Sequence, residues 1–325
     1  MRLSGPAAGP TPALLHCIGQ IAPRLPRLRG TVAPGRTLSP ARRRHITRRQ
    51  PCPTPRRSAA KPRAPSVRPP SCEAAMPTPT ERIALVTGGM GGLGEAIAIR
   101  LHAQGHRVAV THSRENPHVA DWLTAQQAQG RAFAAFPVDV GDYDACQQCA
   151  RQVLEQVGPV DILINNAGIT QDMTFRRMTR EAWTRVLTTD LDALFNMTKP
   201  LYDGMLERGW GRIVNISSVN GAKGAFGQTN YAAAKAGMHG FTKALALECA
   251  AKGVTVNTVS PGYLATRMTR DVPADIMEQR ILPQIPVGRL GRPDEVAALV
   301  AFLCTDDAAF ITGANLAING GQHMQ

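Results

Sequence analysis

Arg82-Ile-Ala-Leu-Val-Thr87 runs directly into Gly88-Gly-Met-Gly-Gly92-Leu-Gly94, and Glu95-Ala-Ile-Ala-Ile-Arg-Leu-His102 follows at once. The first segment is a short apolar run, the pattern of a strand buried on both faces. The last has helical periodicity. The glycines between them permit a tight turn and let backbone N–H groups approach a pyrophosphate at a helix N-terminus. Glycines alone are weak evidence, but strand, glycine turn and helix in that order make the motif specific. Gly88, Gly91, Gly92, Leu93 and Gly94 are therefore candidate cofactor-binding residues.

The same alternation continues outward. His106-Arg-Val-Ala-Val-Thr111 reads as a second strand, whose end is the usual place for a carboxylate that grips a ribose 2′-hydroxyl. The chain offers Thr111-His-Ser113-Arg114 instead: Ser113 brings no carboxylate and Arg114 suits a 2′-phosphate, which favours NADP over NAD, with both as candidate cofactor-binding residues. The alternative is a solvated Arg114 with Glu115 on the ribose. A third strand over residues 131–136 leads to Asp139-Val140, where the carboxylate suits either an adenine amino group or a helix N-cap. Val160-Asp-Ile-Leu-Ile164 is a fourth strand and ends in Asn165-Asn166-Ala167-Gly168, at the sheet edge where ligands bind. Gly211-Arg-Ile-Val-Asn-Ile216 is a fifth, followed by Ser217-Ser218. Gly253-Val-Thr-Val-Asn-Thr-Val259 is a sixth, closed by Ser260-Pro261-Gly262-Tyr263-Leu-Ala-Thr266, and residues 314–318 form a last strand. Helices fall at 120–129, up to 157, as one long helix over 181–208, around Tyr231, and at 294–303. The fold class is α/β: a single Rossmann-type, doubly wound parallel sheet of about seven strands with helices on both faces.

Thr229-Asn-Tyr231-Ala-Ala-Ala-Lys235-Ala-Gly237 carries the chemistry. Residues four apart on a helix share a face, about 5–6 Å apart at Cβ. A phenol beside an ammonium gives up its proton more readily, so Tyr231 and Lys235 read as a tuned general acid/base. The surrounding alanines and glycines let a helix or ligand come close.

Charge is distributed unevenly. Residues 1–75 hold 15 Arg or Lys, one acid and 14 prolines, a net +14 against +13 for the chain, which leaves −1 for residues 76–325. Nucleic-acid binding by the globular part has no support in that balance. The basic segment cannot bury enough apolar surface to order itself. It reads as an organelle presequence, as a flexible basic arm, or as sequence upstream of a true start at Met76, and the third reading is favoured. The expected domain is residues 76–325. The seven cysteines include one Cys146-x-x-Cys149 pair without a second pair, so no metal site is expected. Free cysteines suggest a reducing compartment, and no apolar run reaches the roughly 18 residues needed to span a bilayer.

Thr87-Gly-x-x-x-Gly-x-Gly94, Asn165-Asn-Ala-Gly168, Ser218, Tyr231-x-x-x-Lys235 and Pro261-Gly262 with Thr266 occur in order. Over residues 82–325 this resembles the short-chain dehydrogenase/reductase family. The resemblance implies that Tyr231 protonates a carbonyl as hydride arrives, that Lys235 assists it and bonds the nicotinamide ribose, and that Ser218 polarises the carbonyl. It adds Asp139, Val140, Asn166, Ala167, Gly168, Pro261, Gly262 and Thr266 to the cofactor site. The family usually has an asparagine where this chain has Asp190. If only the backbone carbonyl is used, Asp190 serves; if the side chain matters, it would make Lys235 hold its proton more tightly. Asp190 and Asp192 face apart on a helix and are no catalytic pair. Within the family, Arg208-Gly-Trp-Gly-Arg-Ile-Val-Asn-Ile-Ser-Ser-Val-Asn-Gly221 and Phe226-Gly-Gln-Thr-Asn-Tyr231 are most similar to the acetoacetyl-CoA-reducing branch of polyhydroxybutyrate synthesis. That likeness implies NADP(H), an acyl-CoA substrate, a cytoplasmic homotetramer, and a substrate site at Asp172, Arg177, Phe226, Gln228 and Tyr263. His118 stands where that branch has a cofactor-contacting arginine. The branch that reduces 3-oxoacyl chains on acyl carrier protein, and a non-catalytic NADP-binding protein, are the alternatives.

Overall fold

The computed structural model describes residues 81–266, 269 and 272–324. The expectations for residues 1–75 and for Met76 lie outside them. Seven strands form one sheet: β1 (Ile83–Val86), β2 (Arg107–His112), β3 (Phe133–Pro137), β4 (Ile162–Asn165), β5 (Gly211–Ile216), β6 (Val254–Pro261) and β7 (Asn315–Ile318). Every pairing is parallel, in the order β3-β2-β1-β4-β5-β6-β7. The expected fold class is the one observed.

Burial explains the apolar runs. Every residue of β1, β4, β5 and β6 is buried. Side chains alternate between two cores, as the pleat requires. Ile83 and Leu85 enter the core covered by α3 (Tyr143–Gln156), α5 (Ala193–Arg208) and α7 (Thr229–Cys249). Ala84 and Val86 enter the other, covered by α1 (Gly92–Ala103) and α8 (Pro293–Leu303), with Trp122 of α2 (Val119–Gln127) packed against it. Cys146 and Cys149 are packing residues of α3, and burial pushes their thiols up to about 12 and about 11. The strand order reverses at β1, between β2 and β4, and a crevice opens there at the C-terminal ends of the strands.

Two details differ from the sequence reading. The long helix expected over 181–208 is interrupted: α4 (Arg180–Leu187) passes through a π-helical turn, Thr188–Asp192, before α5 begins. A π turn inserts one residue per turn, which rotates the side chains that follow and here carries Asp190 inward. Gly237 of α7 packs on that turn, and a Cβ on it would meet Leu191 Cδ2 at 2.9 Å. The second difference is α6 (Val219–Lys223), a short helix between β5 and α7 where the sequence reading placed no element.

Below the sheet, two chain reversals interlock. Gly209 after α5 and Gly253 before β6 both have positive φ, 66° and 76°, where glycine is free of strain. A Cβ on Gly253 would lie against the Gly209 carbonyl oxygen.

The Asp142 carboxylate caps α3 by accepting from Ala145 N at 3.0 Å. Asp142→Ala should lower stability by about 1 kcal/mol, read as a lower urea midpoint with unchanged slope.

Candidate active site

A cavity of about 840 Å³ fills the crevice. Its first wall is the turn from β1 into α1. Gly91 caps α1 without any side-chain hydrogen bond, so the helix presents free amides to the cavity. Gly88 has φ 62°, and a Cβ on Gly94 would fall 2.6 Å from Asn166 Nδ2 and against the Gly88 oxygen. Positions 88 and 94 of the cradle are therefore ones that only glycine fills. Thr87 ties it to β4: its Oγ1 accepts from Asn166 N and Ala167 N, each at 2.9 Å, while Asn166 Nδ2 donates to Thr87 O at 2.9 Å.

The second wall carries the Tyr231–Lys235 pair. Tyr231 and Lys235 lie on α7, with Nζ 5.5 Å from the centre of the tyrosine ring. Lys235 is only 3 % exposed, and Nζ donates to Ile216 O at 3.1 Å. Its other neighbour is Asp190, whose Oδ2 lies 3.2 Å away. Asp190 Oδ1 accepts from Ile169 N at 2.8 Å. Burial pushes the Asp190 carboxyl above its usual range, against the pull of Lys235 and of the Ile169 N–H. Ser218 caps α6, its Oγ accepting from Asn220 N at 3.1 Å, which leaves the hydroxyl proton free to point outward. Ser217 Oγ donates to Lys235 O at 2.8 Å and fixes α7 to the end of β5.

The outer wall is polar. Gln228 Nε2 donates to Asp172 Oδ2 at 2.8 Å, and Gln228 Oε1 accepts from Asn220 Nδ2 at 2.9 Å. Burial raises the Asp172 carboxyl, opposed by the Gln228 hydrogen bond. Burial, with the nearby Asp172, also raises the Tyr263 hydroxyl.

The cavity brings together Gly88, Gly91, Gly92, Leu93 and Gly94 from the first wall, with Ser113 and Val140. Asn166, Ala167, Gly168, Asp190, Ser218, Tyr231 and Lys235 also line it. So do Gln228, Pro261, Gly262, Tyr263 and Thr266, the last beside Gly92. Five expected residues stand apart from this lining. Arg114 is exposed on the turn after β2. Asp139 accepts from Gly141 N at 2.9 Å and borders a separate depression. Asp172 stands behind Gln228, Arg177 is exposed on the short turn Phe175–Arg177, and Phe226 is 57 % exposed. His112 and Asn220 also line the cavity, and the sequence reading assigned neither a role. His112 follows Thr111 at the strand end, and that position was the available signal.

A family model described as enoyl-(acyl carrier protein) reductase matches residues 88–323. The chain belongs to the short-chain dehydrogenase/reductase family. It is an oxidoreductase acting on a CH–OH group. It is 54 % identical over 245 residues to an acetoacetyl-CoA reductase from Cupriavidus necator, covering 75 % of this chain and 99 % of that protein. A Rhizobium meliloti acetoacetyl-CoA reductase is 52 % identical over 243 residues, 75 % of this chain and 99 % of the relative. A 3-oxoacyl-[acyl-carrier-protein] reductase from Pseudomonas aeruginosa is 42 % identical over 245 residues, 75 % and 98 %. The glycine cradle and the uncapped helix fit the nicotinamide dinucleotide that serves this family.

Gly94→Ala should abolish dinucleotide binding, measured by quenching of intrinsic fluorescence, because its methyl would collide with the Gly88 backbone as well as with Asn166 Nδ2.

Proposed function

We propose that this chain reduces acetoacetyl-CoA to (R)-3-hydroxybutanoyl-CoA with NADPH, as a cytoplasmic homotetramer serving polyhydroxybutyrate synthesis. The observation that carries the chemistry is that Ser218, Tyr231 and Lys235 line one cavity together with the glycine turn. The substrate reading is supported by greater identity to the acetoacetyl-CoA reductases than to the acyl-carrier-protein enzyme, 54 % against 42 %.

When bound, the cofactor supplies hydride to the carbonyl carbon. The Tyr231 hydroxyl gives its proton to the carbonyl oxygen, and the Ser218 hydroxyl donates a hydrogen bond to the same atom. Lys235 has three donors; one meets Ile216 O, one faces Asp190, and the third is left for a ribose hydroxyl. Asn166, Gly168, Pro261, Gly262 and Thr266 hold the nicotinamide half, and the first-wall glycines hold the pyrophosphate.

NADP is favoured because Thr111, His112 and Ser113 offer no carboxylate where β2 meets the cavity. Arg114, exposed just beyond, would pair with a 2′-phosphate from outside the lining. Asp139 and Val140 flank the adenine in this reading. Asp172, Gln228 and Tyr263 form the acyl pocket, with Phe226 and Arg177 at its outer rim for the CoA arm. Tetramer assembly through the long helices is supported by large exposed side chains on them, Phe195 at 53 % on α5 and Leu247 at 89 % on α7. The unpaired Cys146, Cys149, Cys249 and Cys304 support a reducing compartment.

NADPH oxidation should be observed with acetoacetyl-CoA and should fall by about 10²–10⁴-fold in Tyr231→Phe, with NADP affinity retained. Faster turnover of an acyl-carrier-protein thioester than of the CoA thioester would move the assignment to the fatty-acid branch. Tighter binding of NAD than NADP would overturn the cofactor reading.

A further inference from the structure

The contact between Asp190 and Lys235 is isolated from solvent on both sides, with side-chain exposures of 0 % and 4 %. It exists because three elements leave room for it. The π turn carries Asp190 inward from between α4 and α5. Gly168 clears the space above, since a Cβ there would sit 3.0 Å from Asp190 Oδ2 and 3.2 Å from Lys235 Nζ. The Ile169 amide fixes Oδ1, so Oδ2 is left facing the ammonium alone, without a hydrogen bond. Among the described residues, Lys235 is the charged group that acts on Asp190. Asp192 on the same turn and Arg185 on α4 are exposed. On the other side of Lys235 the titratable neighbour is Tyr231, and the Ile216 carbonyl completes its surroundings.

An ammonium alone beside a phenol stabilises the phenolate. An ammonium with a carboxylate 3.2 Å behind it is a dipole, and its field at the phenol is weaker. We propose that Asp190 is a positioning residue that balances the Lys235 charge and so keeps the Tyr231 hydroxyl protonated to higher pH than the lysine alone would allow. This rests on the reading of Tyr231 as the proton donor. In the reductive direction the phenol must carry its proton, so Asp190 extends the working range of reduction towards alkaline pH. The reverse oxidation needs the phenolate, so its acid limit moves up by the same amount. The cost is a less acidic donor.

Asp190→Asn isolates the charge, because the amide keeps the size and an oxygen for the Ile169 amide. The experiment records kcat/KM against pH in both directions, at saturating cofactor, for the wild type and Asp190→Asn. The alkaline limb of acetoacetyl-CoA reduction and the acid limb of alcohol oxidation should both move to lower pH, together, by roughly one unit. NADP affinity and the melting temperature, measured alongside, should stay close to wild type. Limbs that stay in place, or move upward, in a folded variant that binds NADP would overturn the inference. If Asp190→Asn does not fold, Asp190→Ser is judged by the same two limbs. A purely structural Asp190 would change amplitude or melting temperature and leave the limbs where they are. Wild-type turnover with unmoved limbs sinks this inference alone. A wild type inert towards every 3-oxoacyl thioester sinks the functional reading and this inference with it.

Discussion

A fixed ammonium buried to 3 % exposure is the constraint around which the site is built. Removing a charge from water costs several kcal/mol unless partners replace the hydration. Lys235 finds them on three elements: the Ile216 carbonyl at the end of β5, the Asp190 carboxylate on the π turn, and Tyr231 one helical turn away. Each of those must be held in place in turn. Ser217 fastens α7 to β5, Ile169 holds the carboxylate, and the Thr87–Asn166 contacts fasten the loop carrying Ile169 to the first strand. The glycine cradle and the Tyr231–Lys235 pair are thus parts of one hydrogen-bonded structure.

Much of this was legible in the chain. The seven strands are short apolar runs, and a strand buried on both faces leaves that trace and little else. Gly88 and Gly94 were legible because a strand led in and a helix led out. Tyr231 and Lys235 were legible through helical spacing. The break at Thr188–Asp192 was not, because nothing in Thr188-Thr-Asp-Leu-Asp192 forbids an ordinary helix. It is imposed by tertiary packing, with Leu191 against Gly237, and propensity carries no record of such contacts. The same holds for the nearness of Asp190 to Lys235, which are 45 positions apart in sequence.

The outer site was less legible for a related reason. Arg177 and Phe226 are exposed, so their conformations are not fixed by the core and their roles depend on what binds. Asp172 stands behind Gln228 and accepts a hydrogen bond from it, an arrangement that spacing does not reveal. Asn166 and Ser218 were easier to assign because each follows the end of a strand whose position is fixed.

The paired reversals at Gly209 and Gly253 set where β5 and β6 begin, and those strands deliver Ser218 and Pro261 at their far ends. Six residues of strand separate the two levels, about 20 Å of rigid backbone. Tolerance to substitution should therefore not follow distance from the reacting atoms. The floor of the sheet works as a datum: an error of placement there is transmitted undiminished along both strands, whereas the same error in a surface loop beside the cavity is absorbed locally.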